Sequence, residues 1–226
     1  MTRALRGFAA CVLIVPALVL AARRSSPEEV NYVVDGPHRL RPDRHLIDDI
    51  PPRDGAGLVH VVVEIPTGSI DKWEVDKTDG SLRWEVEDGA PRQVRSLGYP
   101  GNYGMVPRTL LATEEGGDGD PVDVLVLGPA VQRGELVKAR LVGVLRMLDD
   151  GEKDDKLVAV AEGGPFAAVR ELAELERDFV GVTTIVSTWF ESYKGPGEIT
   201  CDGFGDRAEA ERVLDEAIAT YSRAGG

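Results

Sequence analysis

The amino-acid sequence predicts an α+β fold with a mainly β core and helices towards the C-terminus. Short runs rich in β-branched residues, separated by Gly, Pro or Asp, fill the first part of the chain, as in barrel or sandwich strands. After Pro165 the composition changes to Ala, Leu, Glu and Arg at helical spacing. With 226 residues, 42% of them hydrophobic, the chain suffices for one globular domain with extensions.

The first 22 residues have the layout of a signal peptide. Arg3 and Arg6 precede an uncharged stretch over residues 8–22 that ends in small side chains. This stretch is shorter than the roughly 20 residues of a membrane-spanning helix. It predicts export to the periplasm or the medium, with no stable membrane partner after cleavage. An N-terminal membrane anchor, or a cytoplasmic protein with a misassigned start site, stays open.

Residues 23–57 are rich in proline and charge. This composition is typical of a linker or a surface-wrapping extension rather than a packed element. We therefore predict that the packed domain spans residues 58–226.

Residues 58–65 are rich in valine and predict a buried strand that stops at the Pro-Thr-Gly turn of residues 66–68. A hairpin follows, because residues 72–76 and 82–86 alternate apolar and polar around a turn at 78–80. The side chains expected to face inward are Trp73, Val75, Leu82, Trp84 and Val86.

Three further apolar runs predict strands at residues 122–127, 136–148 and 156–160. Helices are predicted at 166–176 and 208–222, the second with an apolar stripe. Residues 177–193 contain a β-branched run that favours a strand by propensity. Their aromatic and valine side chains nevertheless recur at helical spacing, so we predict a helix there too.

The charge balance limits the classes of partner. The chain has 39 acidic against 26 basic residues and a formal net charge of −13. This excess disfavours binding to nucleic acid or to an anionic membrane through charge alone. A protein of this kind would need cations to handle an anionic substrate.

Two acidic segments indicate a cation site. Residues 118–124 read Asp-Gly-Asp-Pro-Val-Asp-Val and open a predicted strand, and residues 149–156 lie at a predicted turn between two strands. Carboxylates this close repel one another unless cations lie between them, and oxygen-only ligands suit Mg²⁺ or Mn²⁺ better than zinc. A helix–loop–helix calcium site is a weaker alternative, because neither segment has its twelve-residue ligand spacing.

An ordered set of motifs resembles the soluble family I inorganic pyrophosphatases. The motifs are Glu-Ile-Pro at 64–66, Lys-x-Glu-x-Asp at 72–76, an arginine, Tyr-Pro-x-Asn-Tyr-Gly at 99–104, the acidic segments at 118–124 and 149–156, and Tyr-Lys at 193–194. The resemblance implies an OB-like five-stranded β-barrel with flanking C-terminal helices. It also implies hydrolysis of pyrophosphate to two phosphates and several Mg²⁺ ions per site, for which Mn²⁺ is a possible substitute. Relatives imply a homo-oligomer.

The resemblance also implies a role for each matching residue. Asp120 corresponds to the general base, which would take a proton from a metal-activated water. The corresponding metal ligands are Glu64, Glu74, Asp118, Asp123, Asp149 and Asp154. The residues expected to bind pyrophosphate are Lys72, Arg92, Tyr103, Lys156, Tyr193 and Lys194.

Some alternatives stay open at this point. Arg95 competes with Arg92 as the arginine that binds phosphate, and Arg83 is a third choice. A non-catalytic cation- or phosphate-binding protein is a competing class, although no motif residue is missing. A broader phosphohydrolase is disfavoured because the sequence has no Gly-x4-Gly-Lys nucleotide-binding loop.

Overall fold

The structure is a computed structural model and describes residues 29–113 and 116–225. The predicted signal peptide at residues 1–22 lies outside this described part. None of the helices in residues 29–113 and 116–225 is long and apolar enough to cross a membrane.

The described residues form a mainly β structure with three α-helices. The strands are Tyr32–Val34 (β1), Arg39–Pro42 (β2), Val59–Ile65 (β3), Trp73–Val75 (β4), Leu82–Trp84 (β5), Val86–Glu87 (β6), Ala90–Pro91 (β7), Asn102–Met105 (β8), Asp123–Leu127 (β9), Leu136–Asp149 (β10), Glu152–Lys153 (β11), Lys156–Ala161 (β12) and Ile199–Asp206 (β13). The helices are Leu172–Asp178 (α1), Val182–Ser192 (α2) and Arg207–Arg223 (α3).

Five strands of the largest sheet form a closed ring in the order β3, β8, β9, β12, β10. The ring closes because β10 pairs both with β12 and with β3. Its neighbours are antiparallel except for β9 and β12, which run parallel. This arrangement confirms the mixed α+β class and agrees with the expected OB-like barrel.

Side chains of the ring pack on both of its faces. All seven residues of β3 are buried, and alternate ones point to opposite sides. Val61 and Val63 contact a cluster that includes Leu214 of α3, whereas Val62 belongs to a cluster with Trp73 and Met105. The first cluster also contains residues of β9, β10 and β12, so it fills the interior of the ring, and α3 packs against it. The second cluster lies on the outside of the ring, where a second sheet covers it.

The second sheet has the order β1-β2-β5-β4 and includes residues that precede the predicted domain. β2 pairs with β5, and Leu46, Ile47 and Ile50 are buried beside Trp73 and Leu82. The prediction that this region is not a packed element is therefore wrong for its described part. A few apolar side chains lie among the prolines and charged residues of this region. They become part of the core only through contacts with residues that are distant in the sequence.

The predicted hairpin forms, with one exception. Trp73 and Leu82 are buried, but Val86 is 53% exposed. The reason is that β5 ends at Trp84 and Val86 starts a separate small hairpin, in which it pairs with Pro91. The alternation of apolar and polar residues therefore extends beyond the end of the strand.

The three helices correspond to the three predicted ones, with a shift in the first. Helix α2 confirms the helical interpretation of residues 177–193, since Val186, Trp189 and Phe190 face the core. Helix α1 begins only at Leu172, because residues 165–168 form turns directly after two glycines. Strand β13, which pairs with β10, was not predicted from the sequence.

Candidate active site

The acidic segments meet at one end of the ring. Because β9 and β12 run parallel, with Leu157 opposite Val124, the loops that enter both strands lie at the same end. β10 runs antiparallel to β12, with Leu145 opposite Lys156, so the end of β10 lies there too. The fold thus brings together carboxylates that are far apart in the sequence.

A cavity of about 690 Å³ opens at this end of the ring. Every residue assigned to the site from the sequence lines it. These residues are Glu64, Lys72, Glu74, Arg92, Tyr103, Asp118, Asp120, Asp123, Asp149, Asp154, Lys156, Tyr193 and Lys194.

Lys156 lies at the bottom of the cavity and is only 4% exposed. Its ammonium group donates to Asp123, at 2.5 Å, and to Asp154. Burial opposes the charged form of Lys156, but the two carboxylates outweigh it and raise its pKa. Lys156 therefore keeps a fixed positive charge between two acidic segments.

The other lysines also contact carboxylates. Lys72 lies 2.8 Å from Glu74, and Lys194 donates to Asp149. Burial opposes the charge of Lys72 as well, yet Tyr99, Glu74 and Asp123 together raise its pKa. Each of these ammonium groups in the cavity is therefore paired with a carboxylate.

Positive charge and hydrogen bonds do not fully compensate the carboxyl groups of the cavity. Burial raises the pKa of Asp118 and Asp154, and the neighbouring charge of Asp123 raises each further. Asp149 has one buried carboxylate oxygen, Oδ1, without a hydrogen-bond partner. Groups of this kind are stabilised when a cation arrives.

The donor set fits Mg²⁺ or Mn²⁺, because it consists of carboxylate oxygens. Among the described residues, no three His, Cys, Asp or Glu side chains converge into one ready metal cage. Magnesium typically uses one or two carboxylates together with waters and substrate phosphates, so it does not require such a cage. The residues therefore fit cations bound jointly with an anionic substrate.

Glu64 is the most strongly perturbed carboxyl group of the site. It lies in β3, is 5% exposed, and accepts a hydrogen bond from the Val75 amide at 2.7 Å. Burial, and then the charge of Asp123, raises its pKa to about 8. Without metal, Glu64 is therefore protonated over a pH range in which an ordinary glutamate is ionised.

This shift predicts a pH dependence of stability. Between about pH 4.5 and 8 the folded metal-free chain keeps a proton on Glu64 that the unfolded chain has lost. The contribution of Glu64 to the free energy of unfolding should thus fall with rising pH, by up to about 1.4 kcal/mol per unit. Thermal unfolding in chelator from pH 5 to 8.5 measures this decline.

The Glu64→Gln variant should show a flatter pH profile than the wild type, since its side chain does not titrate. The same substitution at Glu216, which is exposed on α3, provides the control. Parallel profiles for wild type and Glu64→Gln would contradict the assignment.

The structure distinguishes the three candidate arginines. Arg92 lines the cavity, with its guanidinium 2.8 Å from Glu85. Arg95 is exposed and does not line it, and Arg83 is paired with Asp79. Geometry therefore favours Arg92.

Aromatic rings form one wall of the cavity. Tyr193 stacks on Trp189 with ring centroids 4.9 Å apart, which fixes the end of α2 where Lys194 follows. The ring of Tyr103 lies beside the ammonium groups of Lys72 and Lys156, at 5.6 and 6.0 Å. This wall lies against the ammonium groups of Lys72, Lys156 and Lys194.

Sequence reasoning missed Lys77. Its ammonium group contacts the carboxylate of Asp120 and donates to the Gly119 carbonyl at 3.2 Å. It therefore links the hairpin turn to the loop that carries the proposed base. The available signal was its position directly after the Lys-x-Glu-x-Asp motif, at the start of a turn.

The fold and the cavity together define a class of protein: an OB-like barrel with a lysine- and carboxylate-rich anion site at one end. The inorganic pyrophosphatase family model matches residues 61–222. The chain belongs to this family and is an inorganic diphosphatase, as the motifs predicted.

Known relatives agree with this placement. The chain is 36% identical over 169 residues to the inorganic pyrophosphatase of Xanthomonas campestris, covering 73% of this chain and 89% of the relative. It is 40% identical over 169 residues to that of Helicobacter pylori, covering 71% and 90%. The type I inorganic pyrophosphatase structure from Toxoplasma gondii superposes with a TM-score of 0.81 at 28% identity, covering 87% of this chain and all of that one.

Proposed function

We propose that this chain hydrolyses pyrophosphate to two orthophosphates in a Mg²⁺-dependent reaction, with Asp120 as the general base. The observation that carries the proposal is the single cavity in which the predicted base, carboxylates and phosphate-binding cations all meet. Pyrophosphate bears several negative charges, and its leaving phosphate gains more. A site for it needs fixed positive groups and exchangeable cations together.

The chain's own groups can bind and orient the substrate. The ammonium groups of Lys72, Lys156 and Lys194 and the guanidinium of Arg92 suit phosphate oxygens, and Tyr103 and Tyr193 supply hydroxyl donors. When the substrate and its cations bind, the lysines can exchange their carboxylate partners for phosphate oxygens. The carboxylates released in this way would be available to hold the cations.

Asp120 is suited to take the proton of the attacking water. Its carboxylate is about half exposed in the cavity and contacts the ammonium group of Lys77. The backbone amide of Asp120 donates to the carboxylate of Asp118, and the two contacts hold Asp120 in position. Bound Mg²⁺ would polarise phosphoryl oxygens and acidify the water. Glu64, Glu74, Asp118, Asp123, Asp149 and Asp154 are the residues that would hold it, and Mn²⁺ is a possible substitute.

A binding protein that has lost turnover is the competing class. Its expected signature is a missing base, carboxylate or lysine, but each of these residues lines the cavity. The complete set therefore favours the enzyme.

Phosphate release by the purified chain tests the proposal. Release from pyrophosphate should be fast with Mg²⁺, abolished by chelator, and much slower from ATP. Absence of release with any divalent metal would favour the binding protein, and equal activity on ATP would indicate a broader phosphohydrolase.

We also propose that the chain is exported, which rests on the sequence of its first residues alone. The same assay on cell fractions locates the activity: hydrolysis in the periplasm or medium supports export, whereas hydrolysis confined to the cytoplasm contradicts it. A homo-oligomer stays a prediction from the family, which light scattering tests.

A further inference from the structure

Trp84 of β5 links the N-terminal segment, defined here as residues 29–57, to the cavity. Its backbone amide donates to the His38 carbonyl at 2.9 Å, and the His38 ring meets the Trp84 ring edge-on at 5.7 Å. On its other side the Trp84 ring stacks on Trp73, also at 5.7 Å. The indole is thus fixed by contacts on two sides.

The indole N–H of Trp84 points to the backbone of the cavity wall. It donates to the Arg92 carbonyl at 2.9 Å, and the Lys72 amide donates to the same oxygen at 3.1 Å. Glu85 also connects the two residues, since its amide donates to the Lys72 carbonyl and its carbonyl accepts from the Arg92 amide. The backbones of two cavity cations therefore share one hydrogen-bond junction.

The N-terminal segment is packed tightly against the hairpin that contains Trp84. A Cβ atom added to Gly80 would lie 2.6 Å from Cγ of His45 and 2.7 Å from the Leu46 amide nitrogen. Arg39 donates to Asp79 at 2.6 Å on the same turn. The segment lies before residue 61, where the family match begins, so this support is additional to the matched domain.

We propose that Trp84 is a positioning residue for substrate binding, held in place by the N-terminal segment. Its N–H fixes the Arg92 carbonyl and so aligns the side chains of Lys72 and Arg92 towards the cavity. This inference rests on the proposed function, in which both cations bind pyrophosphate. Pre-organised cations bind the substrate at a lower entropic cost, so losing the junction should weaken binding more than turnover.

The test compares two identical substitutions in one aromatic pair. Trp84→Phe removes the N–H donor but keeps a ring for stacking. Trp73→Phe makes the same chemical change, and the Nε1 of Trp73 is buried without a hydrogen-bond partner. We expect Trp84→Phe to raise KM for pyrophosphate by about threefold to tenfold, the range of one lost hydrogen bond, with kcat within about twofold. Trp73→Phe should leave KM within about twofold of wild type.

The melting temperatures of the two variants show whether both substitutions destabilise the fold by a similar amount. Equal KM values for the two variants, or a fall in kcat alone, would overturn the inference while leaving the proposed function intact. A wild type that hydrolyses no pyrophosphate would overturn both. If Trp84→Phe does not fold, His38→Ala takes its place: a KM raised about twofold or more at constant kcat supports the inference, and a wild-type KM overturns it.

Discussion

Asp120→Asn should lower kcat by roughly 10²-fold or more, the usual contribution of a general base. Asparagine has nearly the same size and cannot accept the proton of the attacking water. Its carbonyl oxygen can still accept from Lys77, so the loop should keep its position. Steady-state phosphate release at saturating Mg²⁺ measures the effect.

The control for this variant is Asp178→Asn on helix α1. Asp178 pairs with Arg177 on the surface and does not line the cavity. The control should retain wild-type kcat. A kcat for Asp120→Asn within about tenfold of wild type would assign the base to another carboxylate, and the melting temperature separates loss of chemistry from loss of fold.

Asp123→Asn should raise the Mg²⁺ concentration needed for half-maximal activity by at least about tenfold. Even residues that only orient a metal ligand typically change affinity or activity by 10- to 100-fold, so a direct ligand should do no less. Asp123 lies where the two acidic segments meet, 2.5 Å from Lys156. Activity as a function of Mg²⁺ and calorimetric Mg²⁺ titration without substrate measure the shift.

The fold should survive this substitution, because Lys156 keeps Asp154 as a charged partner. Excess Mg²⁺ should restore part of the activity of Asp123→Asn but none of that lost in Asp120→Asn, since only the first defect lies in cation binding. An unchanged Mg²⁺ requirement in Asp123→Asn would remove this residue from the set of metal ligands.

The site was more predictable than the elements that support it. Asp118 and Asp123 are five positions apart in one motif, and chemistry restricts which residues such a motif can contain. Local periodicity also predicted four of the five strands of the ring (β3, β9, β10 and β12) and helix α2, because each carries an amphipathic or apolar pattern. Strand β8 was not predicted, because Asn102–Met105 carries no such pattern. Strand β13 was missed because its few apolar residues are interrupted by glycine and polar residues, and half of its residues are exposed.

The N-terminal segment shows the limit of local patterns most clearly. Leu46, Ile47 and Ile50 stand among charged residues and prolines, so no window of the sequence marks them as core. They are buried only because β2 adds to β5 and brings them under Trp73. Val86 shows the opposite error. The alternation of apolar and polar residues predicts that it is buried, but β5 ends before Val86 and leaves it exposed.

The sequence by itself determined the family, the mixed α+β class and the composition of the anion site, because motif chemistry and periodicity are properties of neighbouring residues. Only the tertiary structure decided which arginine reaches the cavity, that Lys77 contacts Asp120, and that Trp84 joins the N-terminal segment to Arg92. These contacts depend on strand pairing and register between distant parts of the chain, and no local pattern encodes them.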